Sequence, residues 1–135
     1  MSKKAAEQFP ILLVDDEVEI LFSTSFLFQS EGFANVTTEN DSRRVMEVLN
    51  RQDVSLIILD LNMPYLSGFE LLKIIAETDI RPAAIIGVPV GFVGAAESKE
   101  LLAATSPVPY ITVAGTKGGS PIAAAAVNAI IYLQD

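Results

Sequence analysis

The sequence predicts an α/β fold: a doubly wound, five-stranded parallel sheet with helices on both faces, three layers in all. Three observations carry this. Short apolar runs rich in β-branched residues alternate five times with helix-length segments, the loops between them are short, and two of the runs end in carboxylate. Those two are Ile11-Leu12-Leu13-Val14, followed by Asp15-Asp16, and Leu56-Ile57-Ile58-Leu59, followed by Asp60. Such runs read as strands buried on both faces, and the residue just past them lies on the rim where α/β domains place their chemistry. A closed barrel needs eight units, so five point to an open sheet. The expected strand order is 2-1-3-4-5, with the crevice beside strands 1 and 3.

Taken in order, residues 11–14 form the first strand and Val18 to Ser30 a helix with a broad apolar face. Phe33 to Thr38 is a short strand, and Ser42 to Asn50 a helix capped by Asp41 or Ser42. Val54 to Leu59 is the third strand, Gly68 to Thr78 the next helix, and Ala83 to Val88 the fourth strand. A helix over Gly94 to Ala104 and a strand over Tyr110 to Val113 follow. Ser120-Pro121 then supplies a cap and first-turn pair for a last helix running to about Leu133.

The 135 residues suit one domain, residues 1–135, able to bury a core without staples. There is no Cys and no His, which excludes disulfides, thiolate metal sites, zinc hydrolase chemistry and Ser-His-Asp or Cys-His catalysis. A formal net charge of −8 argues against nucleic acid as a partner. The N-terminal Met-Ser-Lys-Lys lacks the apolar core of a signal peptide. The apolar stretch Ile122 to Leu133 is short of a membrane span, so no membrane is expected and the location expected is cytoplasmic. Composition shifts near residue 80, beyond which Ala and Gly are abundant and charge is sparse.

Three carboxylates on one rim repel each other, and a hard divalent cation with oxygen ligands, Mg²⁺ above all, relieves this. A metal so held also offsets charge in phosphoryl transfer, and an Asp at the centre can be the nucleophile. From spacing alone, Asp15, Asp16 and Asp60 fit equally a pair of strand-end caps for the turns that follow.

With Asp15-Asp16-Glu17 upstream, the run Asp60-Leu61-Asn62-Met63-Pro64 and then Gly68 resembles the response-regulator receiver domain over residues 9–80. The resemblance implies Asp60 as phosphoacceptor and Asp15, Asp16, Asp60 and the backbone carbonyl of Asn62 as Mg²⁺ ligands. It also implies a histidine kinase as partner in a two-component phosphorelay. A receiver further has a Ser or Thr ending strand 4 and a Lys ending strand 5. Here Ile86-Gly87-Val88-Pro89 and Thr112-Val113-Ala114-Gly115 supply neither, and Lys117 comes late, either reaching the rim or lying in solvent.

The second half has a different pattern. Ile86-Gly87-Val88-Pro89-Val90-Gly91-Phe92-Val93-Gly94, then Pro109-Tyr110-Ile111-Thr112-Val113, Gly118-Gly119-Ser120 and the Ala-rich end resemble the C-terminal part of precorrin-8X methylmutase over residues 82–130. The resemblance implies a tetrapyrrole or anion site at Gly87, Gly91, Gly94, Gly118, Gly119 and Ser120, with a corrin as ligand. Glycines that admit a ligand to backbone amides and a helix start suit that chemistry; tight turns and an ordinary cap account for the same residues. That family uses a catalytic His, so methylmutase activity, and enzyme activity altogether, is not expected.

Both families share one flavodoxin-like architecture, and the resemblance switches between Ile80 and Ala83. The chain therefore reads as an engineered chimera of a receiver-like fragment, residues 1–81, and a methylmutase-like fragment, residues 82–135, without evolved activity but retaining the acidic pocket. Recombination of subdomain fragments is the alternative origin. A working receiver phosphorylated at Asp60 and a residual tetrapyrrole-binding fragment are the alternative functions.

Overall fold

The computed structural model describes residues 2–88, residue 108 and the backbone of 110–112. The helices expected over 94–104 and 120–133 lie outside the described residues, as do Gly91, Gly94, Lys117, Gly118, Gly119 and Ser120.

The strands are β1 (Ile11–Val14), β2 (Val36–Glu39), β3 (Leu56–Asp60), β4 (Ala84–Val88) and β5 (Tyr110–Thr112). The first four stand in the order β2-β1-β3-β4, all parallel, and the three residues of β5 pair in parallel with the outer edge of β4. Every residue of β1, β3 and β4 is buried. Parallel strands covered on both faces need apolar side chains in both directions, which is why Ile, Leu and Val dominate them. The outlying β2 (Val-Thr-Thr-Glu) is only partly buried.

Alternate residues of β1 serve two cores. Ile11 and Leu13 pack with Leu21 and Phe28 of α2 (Val18–Ser30) on one face. Leu12 and Val14 pack on the other with Val45, Val48 and Leu49 of α3 (Val45–Arg51) and Leu71, Leu72 and Ile75 of α4 (Gly68–Ala76). Helix, sheet and helix thus form three layers among the described residues.

β1 and α2 have the expected bounds, and the other described elements differ by a few residues for physical reasons. The second strand begins at Val36, not Phe33, because Phe33 serves the end of α2 instead. Gly32, at φ +95°, donates its N–H to the Gln29 carbonyl, and Phe33 donates to the Phe28 carbonyl at 3.0 Å. This is a Schellman closure, and its usual apolar contact is the edge-on pair Phe28–Phe33, with ring centroids 6.0 Å apart. The helix expected from Ser42 starts as a 3₁₀ turn, Ser42–Arg44, capped by the Asp41 carboxylate accepting from Arg43 N–H at 2.9 Å. A short helix, α1 (Lys3–Gln8), capped by Ser2, was not expected. Among the described residues, no helix is long and apolar enough to cross a membrane.

Candidate functional site

The chain turns off the sheet at the carboxyl ends of β1 and β3, and both turns are built by the acids themselves. Asp15 Oδ1 accepts from Glu17 N–H at 2.9 Å, and Asp60 Oδ1 accepts from Asn62 N–H at 3.0 Å. The strand-end cap reading is therefore met at both positions. Because β1 and β3 are adjacent and in register, Val14 beside Leu59, the same two turns bring their acids together. Asp15, Asp16 and Asp60 each place a carboxylate oxygen so that all three lie within 4.8 Å of one another. Asp60 and Asp15 are buried, Asp60 to 1% exposure, while Asp16 is exposed. Capping and convergence coexist, since a carboxylate has more acceptor capacity than one N–H uses.

The loop after β3 is tied down from both sides. Ser42 is buried, and its hydroxyl donates to the Pro64 carbonyl at 2.8 Å while accepting from Leu66 N–H at 3.0 Å. Downstream, α4 starts with a capping box: Ser67 Oγ accepts from Glu70 N–H, and Glu70 Oε1 accepts from Ser67 N–H. Between these anchors Tyr65 takes φ +69°, and the Arg43 guanidinium lies over its ring, 3.8 Å from the centroid. The same guanidinium grips Asp41 with Nε–Oδ1 3.0 Å and a second contact at 2.9 Å. Those side-chain hydrogen bonds, helped by the Arg43 backbone N–H, hold the Asp41 carboxyl below the ordinary carboxylate value. A groove of about 180 Å³ runs from Asp16 past Asn40 and Asp41 to Met63, Pro64 and Tyr65.

A second, much smaller cavity of about 20 Å³ lies against two of the acids and α2. Asp15, Asp60 and Thr24 line it together with apolar side chains including Leu13, Ile58 and Val88. Thr24 was not singled out from the sequence. Its spacing from Leu21 and Phe28, both core residues of α2, is the signal that marks it as inward-facing.

Of the residues expected to bind metal, Asp15, Asp16 and Asp60 are brought together, and Asn62, exposed, is joined to Asp60 through its backbone N–H. Gly87, expected at a tetrapyrrole or anion site, is a buried residue of β4 between Leu59 and Thr112. It is one residue from Val88, which lies opposite Asp60.

Comparison with known proteins gives two likenesses, one of sequence and one of fold. Residues 66–133, half of the sequence, match the family model described as precorrin-8X methylmutase. The chain belongs to the precorrin-8X methylmutase family. The match opens at residue 66, ahead of the residue 82 at which the resemblance was expected, and so takes in α4. The precorrin-8X methylmutase of Pseudomonas aeruginosa is 60% identical over 63 residues, 46% of this chain and 30% of its own length. The cobalt-precorrin-8 methylmutase of Leptospira interrogans is 35% identical over 119 residues, 81% of this chain and 53% of its own length. The chain thus spans about a third to a half of these relatives.

The structural likeness is to receivers. The fold matches the chemotaxis protein CheY4 of Vibrio cholerae with TM-score 0.71 and 22% identity, over 90% of this chain and 97% of that one. A CheY-like receiver domain from Methanospirillum hungatei gives TM-score 0.73 and 22% identity, over 93% of each chain. At such identities the likeness shows the fold. The double resemblance read from the sequence is borne out: methylmutase-like sequence and receiver-like structure meet in one chain. The expectation that the chain is not an enzyme is overturned, because the family it belongs to and its 60% identical relative carry an enzyme's name. The absence of His limits the proton carriers this chain can offer. It does not decide the family, which rests on the match over residues 66–133.

Proposed function

We propose that the rim formed by Asp15, Asp16 and Asp60 binds a divalent cation, Mg²⁺ above all, and that Asp60 accepts a phosphoryl group there. The observation that carries this reading is the convergence of three carboxylates within 4.8 Å, two of them buried. An all-oxygen donor set of this charge suits a hard cation, with the Asn62 carbonyl as a further donor. When bound, the metal supplies positive charge beside the transferring oxygens. The residues do the rest. Asn62 N–H orients Asp60, whose carboxylate attacks phosphorus of an acyl-phosphate or phosphoramidate donor; the new P–O bond forms as the bond to the leaving group breaks, and the leaving group departs with the electron pair. The groove beside Asp16 gives such a donor its approach. A histidine kinase is the physiological donor that the receiver-like half suggests.

On this proposal the chain is an engineered five-stranded, flavodoxin-like chimera, a receiver-like fragment over residues 1–81 joined to a methylmutase-like fragment over 82–135. The strand pair β3–β4 is then the seam, and its fully buried Leu, Ile, Ala and Val residues suit it, because apolar cores accept approximate packing before the fold is lost.

Thermal unfolding with and without millimolar Mg²⁺ tests the cation site, since a ligand bound only by the folded state raises the melting temperature. The wild type should gain stability and Asp60→Asn should not; equal melting temperatures in both would sink the reading. Intact mass after incubation with acetyl phosphate should show one added phosphoryl group, absent from Asp60→Asn.

The 60% identity to a methylmutase over 63 residues favours a second reading, in which the second half binds a tetrapyrrole of the corrin class. Gly87, Gly91, Gly94, Gly118, Gly119 and Ser120 are the residues proposed to face it. A corrin titration that leaves the ligand's absorption spectrum unchanged would dispose of it.

A further inference from the structure

Thr24 is 3% exposed, and its hydroxyl oxygen meets no hydrogen-bond partner in the protein among the described residues. A threonine inside a helix ordinarily satisfies its hydroxyl on the carbonyl three or four residues back. In α2 the Ile20 carbonyl is taken by Ser23 Oγ at 3.2 Å, and Thr24 instead lines the small cavity that Asp15 and Asp60 also line. A buried hydroxyl left alone is costly, and the cavity offers the remedy. Its volume, about 20 Å³, exceeds the roughly 10–15 Å³ that one water needs. Among the described residues, Asp15, Thr24 and Asp60 are the polar members of its lining, which matches the hydrogen-bond count of a buried water, about three.

We propose that this cavity binds a single water molecule, which accepts from the Thr24 hydroxyl and donates to the carboxylates of Asp15 and Asp60. Thr24 is then a positioning residue of the acidic rim: it acts through the water, holding the two buried carboxylates from the α2 side. Loss of a group that orients metal ligands commonly weakens metal binding by roughly 10- to 100-fold. The effect on cation binding rests on the cation reading above; the water does not.

Three measurements test the proposal. A high-resolution crystal structure should show one ordered water within hydrogen-bond distance of Thr24 Oγ1 and of a carboxylate oxygen of Asp15 or Asp60; an empty cavity overturns it. Thermal unfolding of Thr24→Val in metal-free buffer gives a second reading. A hydroxyl with no partner would make the apolar variant more stable, so a clear rise in melting temperature also overturns the proposal, whereas a water-satisfied hydroxyl gives no rise. Mg²⁺ titration should show Thr24→Val binding about tenfold more weakly than wild type, with Thr24→Ser restoring affinity. Equal affinity in wild type and Thr24→Val refutes the positioning role. A wild type that binds no Mg²⁺ but holds the water refutes the cation reading and supports the bridge.

Discussion

Gly68 sets its α-carbon directly against the backbone of Asp60. A β-carbon on Gly68 would stand 2.6 Å from the Asp60 carbonyl oxygen and 2.6 Å from Leu61 Cα, and Gly68 N–H donates to the Leu61 carbonyl at 3.2 Å. The first turn of α4 therefore rests on the strand end that carries the central acid. Gly68→Ala forces that backbone apart and should cost about 1–3 kcal/mol in denaturant unfolding, as overpacking does. Gly32→Ala is the control. Its β-carbon would meet nothing within 4 Å, so only its φ of +95° resists substitution, at a cost of about 1 kcal/mol. The Gly68 variant alone should also disturb Mg²⁺ binding.

Ser42 joins parts of the chain more than twenty residues apart through one oxygen. Ser42→Ala leaves the Pro64 carbonyl and Leu66 N–H without that partner in a part-buried setting. The expected loss is about 1–3 kcal/mol by chemical denaturation. Unchanged stability would mean that water replaces the hydroxyl at both groups.

The acids that gather at the rim should weaken the metal-free fold. Asp16 is the exposed member, so Asp16→Asn removes one of three clustered charges without opening a cavity. In low-salt buffer containing a chelator, its melting temperature should exceed that of the wild type by about 3 °C, on the order of 1 kcal/mol. Added Mg²⁺ should reverse the ranking.

Arg43 keeps the Asp41 carboxyl below its ordinary value of 3.8. With the folded value depressed, the contribution of this pair is fully present above 3.8 and is lost as pH falls through the lowered value. Arg43→Gln should return the Asp41 titration toward 3.8, followed by carboxyl carbon shifts in NMR. Both side chains reach solvent, so the melting temperature at neutral pH should barely move.

Much of the architecture was legible along the chain. Ile11 to Val14 and Leu56 to Leu59 could be read as buried parallel strands because a sheet covered on both faces favours apolar residues in both directions. Asp15, Asp16 and Asp60 could be read as neighbours because strand order and parallel direction place the ends of β1 and β3 on one rim. Phe33 misled: its apolar, aromatic character suited a strand, whereas it packs on Phe28 to close α2.

The sequence by itself determined the alternation of strand and helix, the acids at the strand ends and the two families the chain resembles, since each is a local pattern of residue types. Only the tertiary structure decided that the carboxylates approach within 4.8 Å while still capping their own turns, and that Ser42 ties down the loop beside them. It alone decided that Gly68 bears on Asp60 and that the buried Thr24 lines a cavity together with Asp15 and Asp60. These are contacts between residues distant in the chain, and their distances are set by how helices pack on the sheet. No local pattern encodes that packing, because it is fixed by the summed volumes of side chains from every layer at once.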